Sequence, residues 1–298
     1  MNILVLSRNA ALYSTNSIVR AGEKRGHFMD VIDHTMCDLL IQRGNSRLYF
    51  EEESIYKYDA VIPRIGSSVT RTGATVIRQF EGMNIFSALS SEALLRSRNK
   101  ISCLQILAKK DIPIPRSYVC NNVWNLDGIL NKVQRYPVII KLANSTHGLG
   151  VLKAESRSAA ESIVESFLKL RQKCLIQEFI AEAAGEDVRA FVVDGEIVAS
   201  MRRKAEGDEF RSNLHRGGIA EKIELSEMEK NVALKSTKIL GLNIAGVDML
   251  RSKYGPLVLE VNASPGLEGI ETTTGVDIAG KIIQFIERNA KKGFKRYS

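Results

Sequence analysis

Over the first hundred residues, short apolar runs alternate with longer amphipathic stretches. Ile3 to Leu6, Phe28 to Ile32 and Ala60 to Ile65 are bounded by polar residues, while segments around 14–25 and 70–81 space their apolar positions as a helix does. This rhythm predicts a β-α-β unit and a small parallel sheet. Ser90-Ser91-Glu92 then opens a helical stretch with apolar positions at Ala93, Leu94, Ile101, Leu104, Ile106 and Leu107, which Pro113 and Pro115 stop, so a boundary between folding units falls near here. Beyond it the pattern turns antiparallel. Pro137 to Leu142 and Val151 to Ala154 read as a hairpin around a polar, glycine-bearing loop, followed by a helix over 158–169 and the run Cys174 to Ile180. Further strands are predicted at Val188 to Lys204, Lys222 to Leu225 and Ala245 to Val261. A helix over about Glu227 to Leu240 interrupts them and another over Asp277 to Ala290 closes the chain. No internal repeat or low-complexity segment is evident.

Composition narrows the class. The 298 residues are 44% apolar and 26% charged with 6 prolines, which excludes disordered and fibrous architectures and fits two domains or three small ones. No apolar run approaches the roughly 18 residues needed to cross a bilayer, and the N-terminal run lacks a basic segment and a cleavage site; no membrane association and a cytoplasmic location are expected. Cys37, Cys103, Cys120 and Cys174 have no C-x-x-C spacing and no nearby histidine to complete a metal set, so they are expected to be buried, reduced thiols. After Leu6 the chain reads Ser7-Arg8-Asn9-Ala10 rather than G-x-G-x-x-G, which disfavours a dinucleotide site. The net charge of +8 points on its face to nucleic acid, a membrane surface or an acidic partner. Five of the cations, Arg288, Lys291, Lys292, Lys295 and Arg296, fall in a terminal stretch without an acid, leaving 37 − 34 = +3 for residues 1–287. With one Trp, 6% aromatics and no basic stripe interleaved with aromatics, direct nucleic-acid binding is not expected, and acidic substrates suit the charge better.

Three stretches carry candidate chemistry. In A-G-V-D-M-L-R-S-K-Y-G-P-L-V-L-E-V-N-A-S-P-G, two β-rich runs flank Ser252-Lys253-Tyr254-Gly255, which reads as a hairpin turn. Centring that turn at Tyr254 sets Asp248 opposite Glu260, with Asn262 on the same face as Glu260. Two carboxylates and an amide oxygen are hard ligands suited to Mg²⁺ or Mn²⁺ bridged to phosphates; a solvated sheet face of alternating polarity is the other reading. The loop Ala143-Asn144-Ser145-Thr146-His147-Gly148-Leu149-Gly150 follows Lys141. It could bring backbone N–H groups to phosphate oxygens, or be an ordinary exposed turn with His147 a loop histidine; it is not a Walker A sequence. Asp194-Gly195 is a two-residue hairpin signal that would pair Arg189 with Ser200 and Asp187 with Arg202. The polar segment after it carries Arg202, Arg203, Arg211 and Arg216, either to handle anions or as a solvated excursion.

Taken together, Lys100, Lys141, the glycine-bearing loop, Q-E-F-I around Glu178, the Arg-rich segment and D-x₁₁-E-x-N resemble the ATP-grasp superfamily. P-R-I-G at 63–66, F-R-S-N-L-H-R-G-G at 210–218, A-G-V-D at 245–248 and E-V-N-A-S-P-G-L-E-G-I-E at 260–271 look like the RimK-type ligases. The prototype of that family adds glutamates to the C-terminus of a small-subunit ribosomal protein. The resemblance runs from the first strand to the last helix. It implies an α/β (α+β) chain: a small parallel-sheet domain over 1–97, then a two-part ATP-grasp fold with a small subdomain over 98–185 and a large one over 186–298.

Carried over residue by residue, Lys100, Lys141, Gly148 and Gly150 would contact the phosphates of ATP. Gln177, Glu178, Phe179 and Ile180 would line the adenine pocket, Asp187 would lie near the ribose, and Arg211, Ser212 and Asn213 would reach the phosphate side. Asp248, Glu260 and Asn262 would hold two ions, Mg²⁺ or Mn²⁺. Arg64, Arg189 and Arg203 would bind substrate carboxylates, and Arg203, Arg211, Asn213 and Arg216 would serve catalysis. Relatives commonly carry Gln at the position of His147, which is given no role.

The implied reaction is ATP-dependent ligation of L-glutamate to the acidic C-terminal tail of an acceptor, a ribosomal protein, through an acyl phosphate, with oligoglutamate formed by repetition. A homo-oligomer is expected. A cofactor or an acidic carrier protein is the alternative acceptor. A non-catalytic ATP-binding module is the alternative from another class, against which the presence of all three candidate metal ligands and both lysines argues.

Overall fold

In the computed structural model, residues 1–143, 150–183, 185–206, 210, 212 and 218–290 are described. The N-terminal rhythm forms as predicted: β1 (Asn2–Leu6), α1 (Tyr13–Lys24) and β2 (Phe28–Ile32) make a parallel pair with the helix between its strands. The chain then inserts β3 (Cys37–Leu40), β4 (Arg47–Phe50) and β5 (Glu53–Ser54), a small antiparallel sheet that charged residues and the absence of a sustained apolar run conceal in the sequence. Next come β6 (Ala60–Pro63), α2 (Thr70–Gly82) and β7 (Phe86–Ser87), completing a parallel sheet in the order β2-β1-β6-β7.

The helical stretch expected from Ser90 is two helices, α3 (Ser91–Arg98) and α4 (Lys100–Ala108). Ser90 caps the first by accepting from Ala93 N at 3.1 Å. Asn99 leaves the helical conformation (φ −87°, ψ 103°) and caps the second, accepting from Ser102 N at 3.0 Å. Asn competes with the helix through this bond, so the chain breaks there although its apolar spacing continues.

The second sheet comprises β8 (Ser117–Cys120), β9 (Val138–Leu142), β10 (Val151–Ala154) and β11 (Cys174–Glu178) in the order β10-β9-β11-β8. Two helices, α5 (Leu126–Leu130) and α6 (Arg157–Lys169), pack against it. The third sheet holds β12 (Glu186–Val193), β13 (Glu196–Lys204), β14 (Ile219–Lys222), β15 (Ile244–Ser252) and β16 (Gly255–Asn262), in the order β14-β13-β12-β15-β16. Around it lie α7 (Glu227–Leu240), α8 (Glu268–Thr274) and α9 (Ile278–Ala290). The strand expected over Lys222 to Leu225 lies three residues earlier; Leu225 is buried as a core side chain outside the strand. The α/β class stands.

Two of the three cores join the first sheet to the third. Leu4, Leu6 and Val61 share one with Val188, Val247, Val258 and Leu240. On the other side Ile3, Val5 and Ile18 pack with Phe191, Ile282 and Phe285. The second sheet builds its own core from Cys120, Ile140, Val164 and Ile176, and so stands as a separate layer facing the third. All four cysteines are free; Cys103, Cys120 and Cys174 are buried and Cys37 is half-buried, where burial of all four was expected. Among the described residues no helix is long and apolar enough to cross a membrane.

Candidate active site

The second and third sheets enclose a cleft. Ile139 and Lys141 from β9 and Leu175 and Gln177 from β11 line one wall, and Asp187, Asp248, Leu250 and Glu260 line the other. Lys100, at the start of α4, reaches the same cleft, as do Phe210 and Ser212.

Two bulges set which side chains face it. The β15–β16 hairpin turns at Lys253-Tyr254, pairing Ser252 with Gly255 and Met249 with Val258. Continued unbroken, that register would set Asp248 against Leu259. An irregularity between Asp248 and Met249 shifts it by one, so Asp248 pairs with Glu260, and both Leu259 and Glu260 line the cleft. The β12–β13 hairpin starts in the predicted register, with Val193 opposite Glu196. It too shifts, between Phe191 and Val192. Arg189 therefore pairs with Met201 rather than Ser200, and Asp187 with Arg203 rather than Arg202. Arg202 turns to Glu186 at 3.2 Å and Glu221 at 2.6 Å instead.

An ionic array results. Arg189 binds both oxygens of Asp248 at 2.7 Å each. Arg203 donates to both oxygens of Asp187 at 2.7 and 2.5 Å and lies 3.1 Å from Asp248 Oδ2. Burial on its own would lower the Arg203 pKa, but Asp248 and Asp187 raise it; burial would raise that of Asp248, but Arg189 and Arg203 hold it down. Arg203 and Asp248 are therefore both charged. Asn262 donates to Asp248 Oδ2 at 3.4 Å. Glu260 has no hydrogen-bond or ion-pair partner among the described residues.

Across the cleft, Lys141 Nζ donates to Gln177 Oε1 at 2.6 Å, and Gln177 Nε2 donates to Ser117 Oγ at 2.8 Å. Burial pulls the Lys141 ammonium down to about 8, with Glu260 opposing that shift and Lys100 adding to it. Gln177 is thus committed through its side chain to positioning Lys141. Glu178 accepts from Arg116 N at 2.7 Å. Phe179 has Lys153 Nζ 4.8 Å from its ring centre, and Ile180 is buried. Gly150 takes a left-handed φ of +67° at the end of the glycine-bearing loop, and its carbonyl accepts from Leu142 N at 2.9 Å.

Arg64 is not among the residues lining this cleft; it donates to Pro265 O at 2.6 Å. Gly148, Arg211, Asn213 and Arg216 fall outside the described residues. Sequence reasoning passed over Lys153, which carries no motif signal, and gave no role to Phe210, the first residue of F-R-S-N-L-H-R-G-G, or to Leu259, which directly precedes Glu260. It also passed over Arg98, whose only signal is its place beside the Asn99 helix break.

Among the described residues no group of three or more His, Cys, Asp or Glu is placed to hold a metal ion. The candidate set is two carboxylates and an amide. Its chemistry fits a hard cation, because Glu260, whose carboxylate has no partner among the described residues, lines the cleft directly opposite Asp248.

Comparison with known proteins gives the family. A family model described as the RimK PreATP-grasp domain matches residues 1–94, and one described as the RimK-like ATP-grasp domain matches residues 97–286. A probable alpha-L-glutamate ligase of Thioalkalivibrio sulfidiphilus is 47% identical over 291 residues, spanning 98% of this chain and 97% of its own. Its namesake in Vibrio parahaemolyticus is 48% identical over 296 residues, spanning 99% and 98%. Among solved structures, the ATP-grasp ligase PsnB complexed with a minimal precursor aligns at a TM-score of 0.76 and 22% identity, covering 97% of this chain and 99% of that one. PsnB with a phosphomimetic variant of that precursor, Mg and ADP aligns at 0.73 and 22%, covering 96% and 97%. At that identity the structural likeness shows the fold. The family models and the full-length relatives show more: the chain belongs to the RimK-like ATP-grasp family and is an ATP-dependent ligase.

Proposed function

We propose that the protein is an ADP-forming α-L-glutamate ligase that joins L-glutamate to the C-terminal carboxylate of an acidic acceptor. The observation that carries this is the cleft itself: Lys141 on one wall, Lys100 reaching in from the start of α4, and on the other wall Glu260, unpaired among the described residues, beside the Arg189–Asp248–Arg203–Asp187 array. The relatives are named alpha-L-glutamate ligases, and PsnB, with the same fold, binds a peptide precursor and holds Mg and ADP.

A carboxylate is a poor electrophile, so it must be activated before an amine can displace oxygen from it. In the proposed route an oxygen of the acceptor carboxylate takes the γ-phosphoryl group of ATP as the bond to ADP breaks. The glutamate amine then attacks the acyl phosphate, gives its proton to solvent and expels phosphate, leaving an amide. Such transfers need positioning and charge neutralisation more than covalent help. Lys100, Lys141 and the loop ending at Gly150 would hold the phosphates. Gln177 to Ile180 would line the adenine, with Asp187 near the ribose and Ser212, beside Arg211 and Asn213, on the phosphate side. Asp248, Glu260 and Asn262 would hold Mg²⁺ or Mn²⁺, two ions in the full reading, which would neutralise phosphate charge. Arg64, Arg189, Arg203 and Arg216 are the candidates for substrate carboxylates and developing charge. The domains would be 1–97, 98–185 and 186–298, the acceptor a ribosomal protein, and repetition would give an oligoglutamate tail.

Glu260→Ala should keep the fold and abolish Mg²⁺-dependent ADP release with glutamate and acceptor. Asp248→Ala should do the same at a cost of about 3–5 kcal/mol in stability, since it takes from the largely buried Arg189 its carboxylate partner, while Arg203 keeps Asp187. Near-normal turnover in Glu260→Ala would sink the metal assignment. Mass spectrometry of reactions with ATP, Mg²⁺ and glutamate, with and without ribosomal protein, should show a ladder of added glutamates on the protein. A ladder built on free glutamate alone would assign the acceptor differently.

A further inference from the structure

Where the first sheet meets the β16–α8 connection lie two guanidinium groups close enough for the charge of one to act on the other, neither paired with a carboxylate among the described residues. Arg64, just past β6, uses Nη2 to donate to Pro265 O at 2.6 Å. Arg98, the last residue of α3, donates Nη2 to Ile65 O at 2.5 Å, while its Nε is buried with no acceptor. Ser264 Oγ, one residue before Pro265, is also buried without a partner. Among the described residues neither arginine has an ion pair, whereas Arg189 and Arg203 are each held by carboxylates. Burial, reinforced by the charge of Arg98, pulls Arg64 down to about 10; burial lowers Arg98 as well, against the pull of Glu260.

Burying two like charges and leaving a donor idle is costly, and an anion placed between them would remove both penalties. The place also adjoins the cleft. A Cβ on Gly246, two residues before Asp248, would lie 3.1 Å from Pro265 Cβ and 3.6 Å from Arg189 Nε, so the 264–265 turn lies against the ionic array.

We propose that Arg64, Arg98 and Ser264 form the seat for a carboxylate of the incoming amino acid, one that takes no part in bond formation. The assignment rests on the glutamate-ligase reading. The acceptor carboxylate is consumed as it is phosphorylated, so a fixed cationic pair would hold it back. A spectator carboxylate keeps its full charge throughout and suits planar, permanently charged donors. Arg98 and Ser264 are new to the site, and Arg64 gains a defined role in it.

The test uses the full chain and two probes. Glutarate, which lacks an amine and cannot react, should bind the wild type in calorimetry and bind Arg98→Gln about tenfold or more weakly, the loss expected for a charge-assisted bond. In steady-state assays Arg98→Gln should raise KM for L-glutamate by a similar factor, leave KM for ATP within about twofold, and be partly rescued in Arg98→Lys. Substituting an amide for each glutamate carboxylate in turn identifies the seated one. That amide is penalised by the wild type and not further by Arg98→Gln. Ser264→Ala, which deletes only an unpartnered hydroxyl, carries the same glutarate test should Arg98→Gln fold poorly. Unchanged glutarate and glutamate affinity in these variants overturns the proposal, and so does an increase confined to KM for the acceptor. Arg98-dependent glutarate binding in an enzyme that makes no glutamate-dependent ADP would keep the seat and refute the glutamate-ligase reading.

Discussion

Lys141 is the residue whose charge the fold controls most visibly. Its ammonium is pulled down to about 8 by burial, although Glu260 across the cleft favours the charged form. An ordinary lysine loses its proton near 10.5. Between these values the unfolded chain binds a proton that the folded enzyme has released. Burial of the charged form therefore costs stability below pH about 8, and the cost fades as pH rises toward 10.5. For nucleotide binding the direction is opposite in effect. If Lys141 holds a phosphate as proposed, its charge is complete below about 8 and is lost above it, so ATP affinity should fall as pH rises from about 7 to 9.5. Lys141→Arg keeps its charge throughout that range and should flatten the profile, which titration of ATP binding at several pH values would measure. The same falling profile in Lys141→Arg would assign the dependence to another group.

At the scale of strands and turns, what sequence reveals depends on whether a feature repeats. Helix spacing over 70–81 and 227–240 is legible because it recurs over several turns, and α2 and α7 form there. The pairing of Asp248 with Glu260 is legible from the hairpin, but for an incomplete reason: the tight turn at Lys253-Tyr254 would misalign them without the bulge at Leu259. The same one-residue slip brings Arg203 rather than Arg202 to Asp187. A bulge is one extra residue with no composition signal, and it decides which side chain faces the cleft. The break at Asn99 is equally local, and it sets Arg98 and Lys100 on different helices. Arg98 stays hidden in the sequence because its role depends on a turn more than 160 residues further along the chain.

Gly150 is a case where the local requirement is explicit. Its φ of +67° disfavours any side chain, and an added Cβ would lie 2.6 Å from Leu142 Cδ1. Gly150→Ala should strain the β9–β10 connection by about 1–2 kcal/mol. Because that connection borders the cleft, KM for ATP should rise several-fold while the melting temperature changes little. A normal KM for ATP would remove the loop end from the phosphate site.

Across the whole molecule, the arrangement depends on docking the first sheet against the third, since Arg64 reaches Pro265 only when the two are seated together. One polar clamp joins the two ends of the chain at this interface. Glu287 on α9 accepts from Arg25 at 3.0 and 2.7 Å and lies 2.7 Å from His27 Nε2. Another terminal cation, Arg288, pairs with Asp194 at 2.8 Å, so part of the positive excess at the C-terminal end serves the fold. The hydrogen bond from Arg25 pulls Glu287 down to about 2 from an ordinary 4.5, with burial opposing and His27 assisting. A carboxylate with a depressed folded pKa adds stability above its unfolded value and loses it as pH falls toward the folded one. Glu287→Gln should therefore melt below the wild type at pH 7. The gap should narrow as pH falls from about 4.5 and close near 2. KM for ATP should not change, because neither α1 nor α9 lines the cleft proposed to take the nucleotide. Thermal melts of both proteins from pH 7 downward would decide it: a gap of constant size at acid pH would mean that Glu287 acts by packing α9 against α1 rather than through its charge.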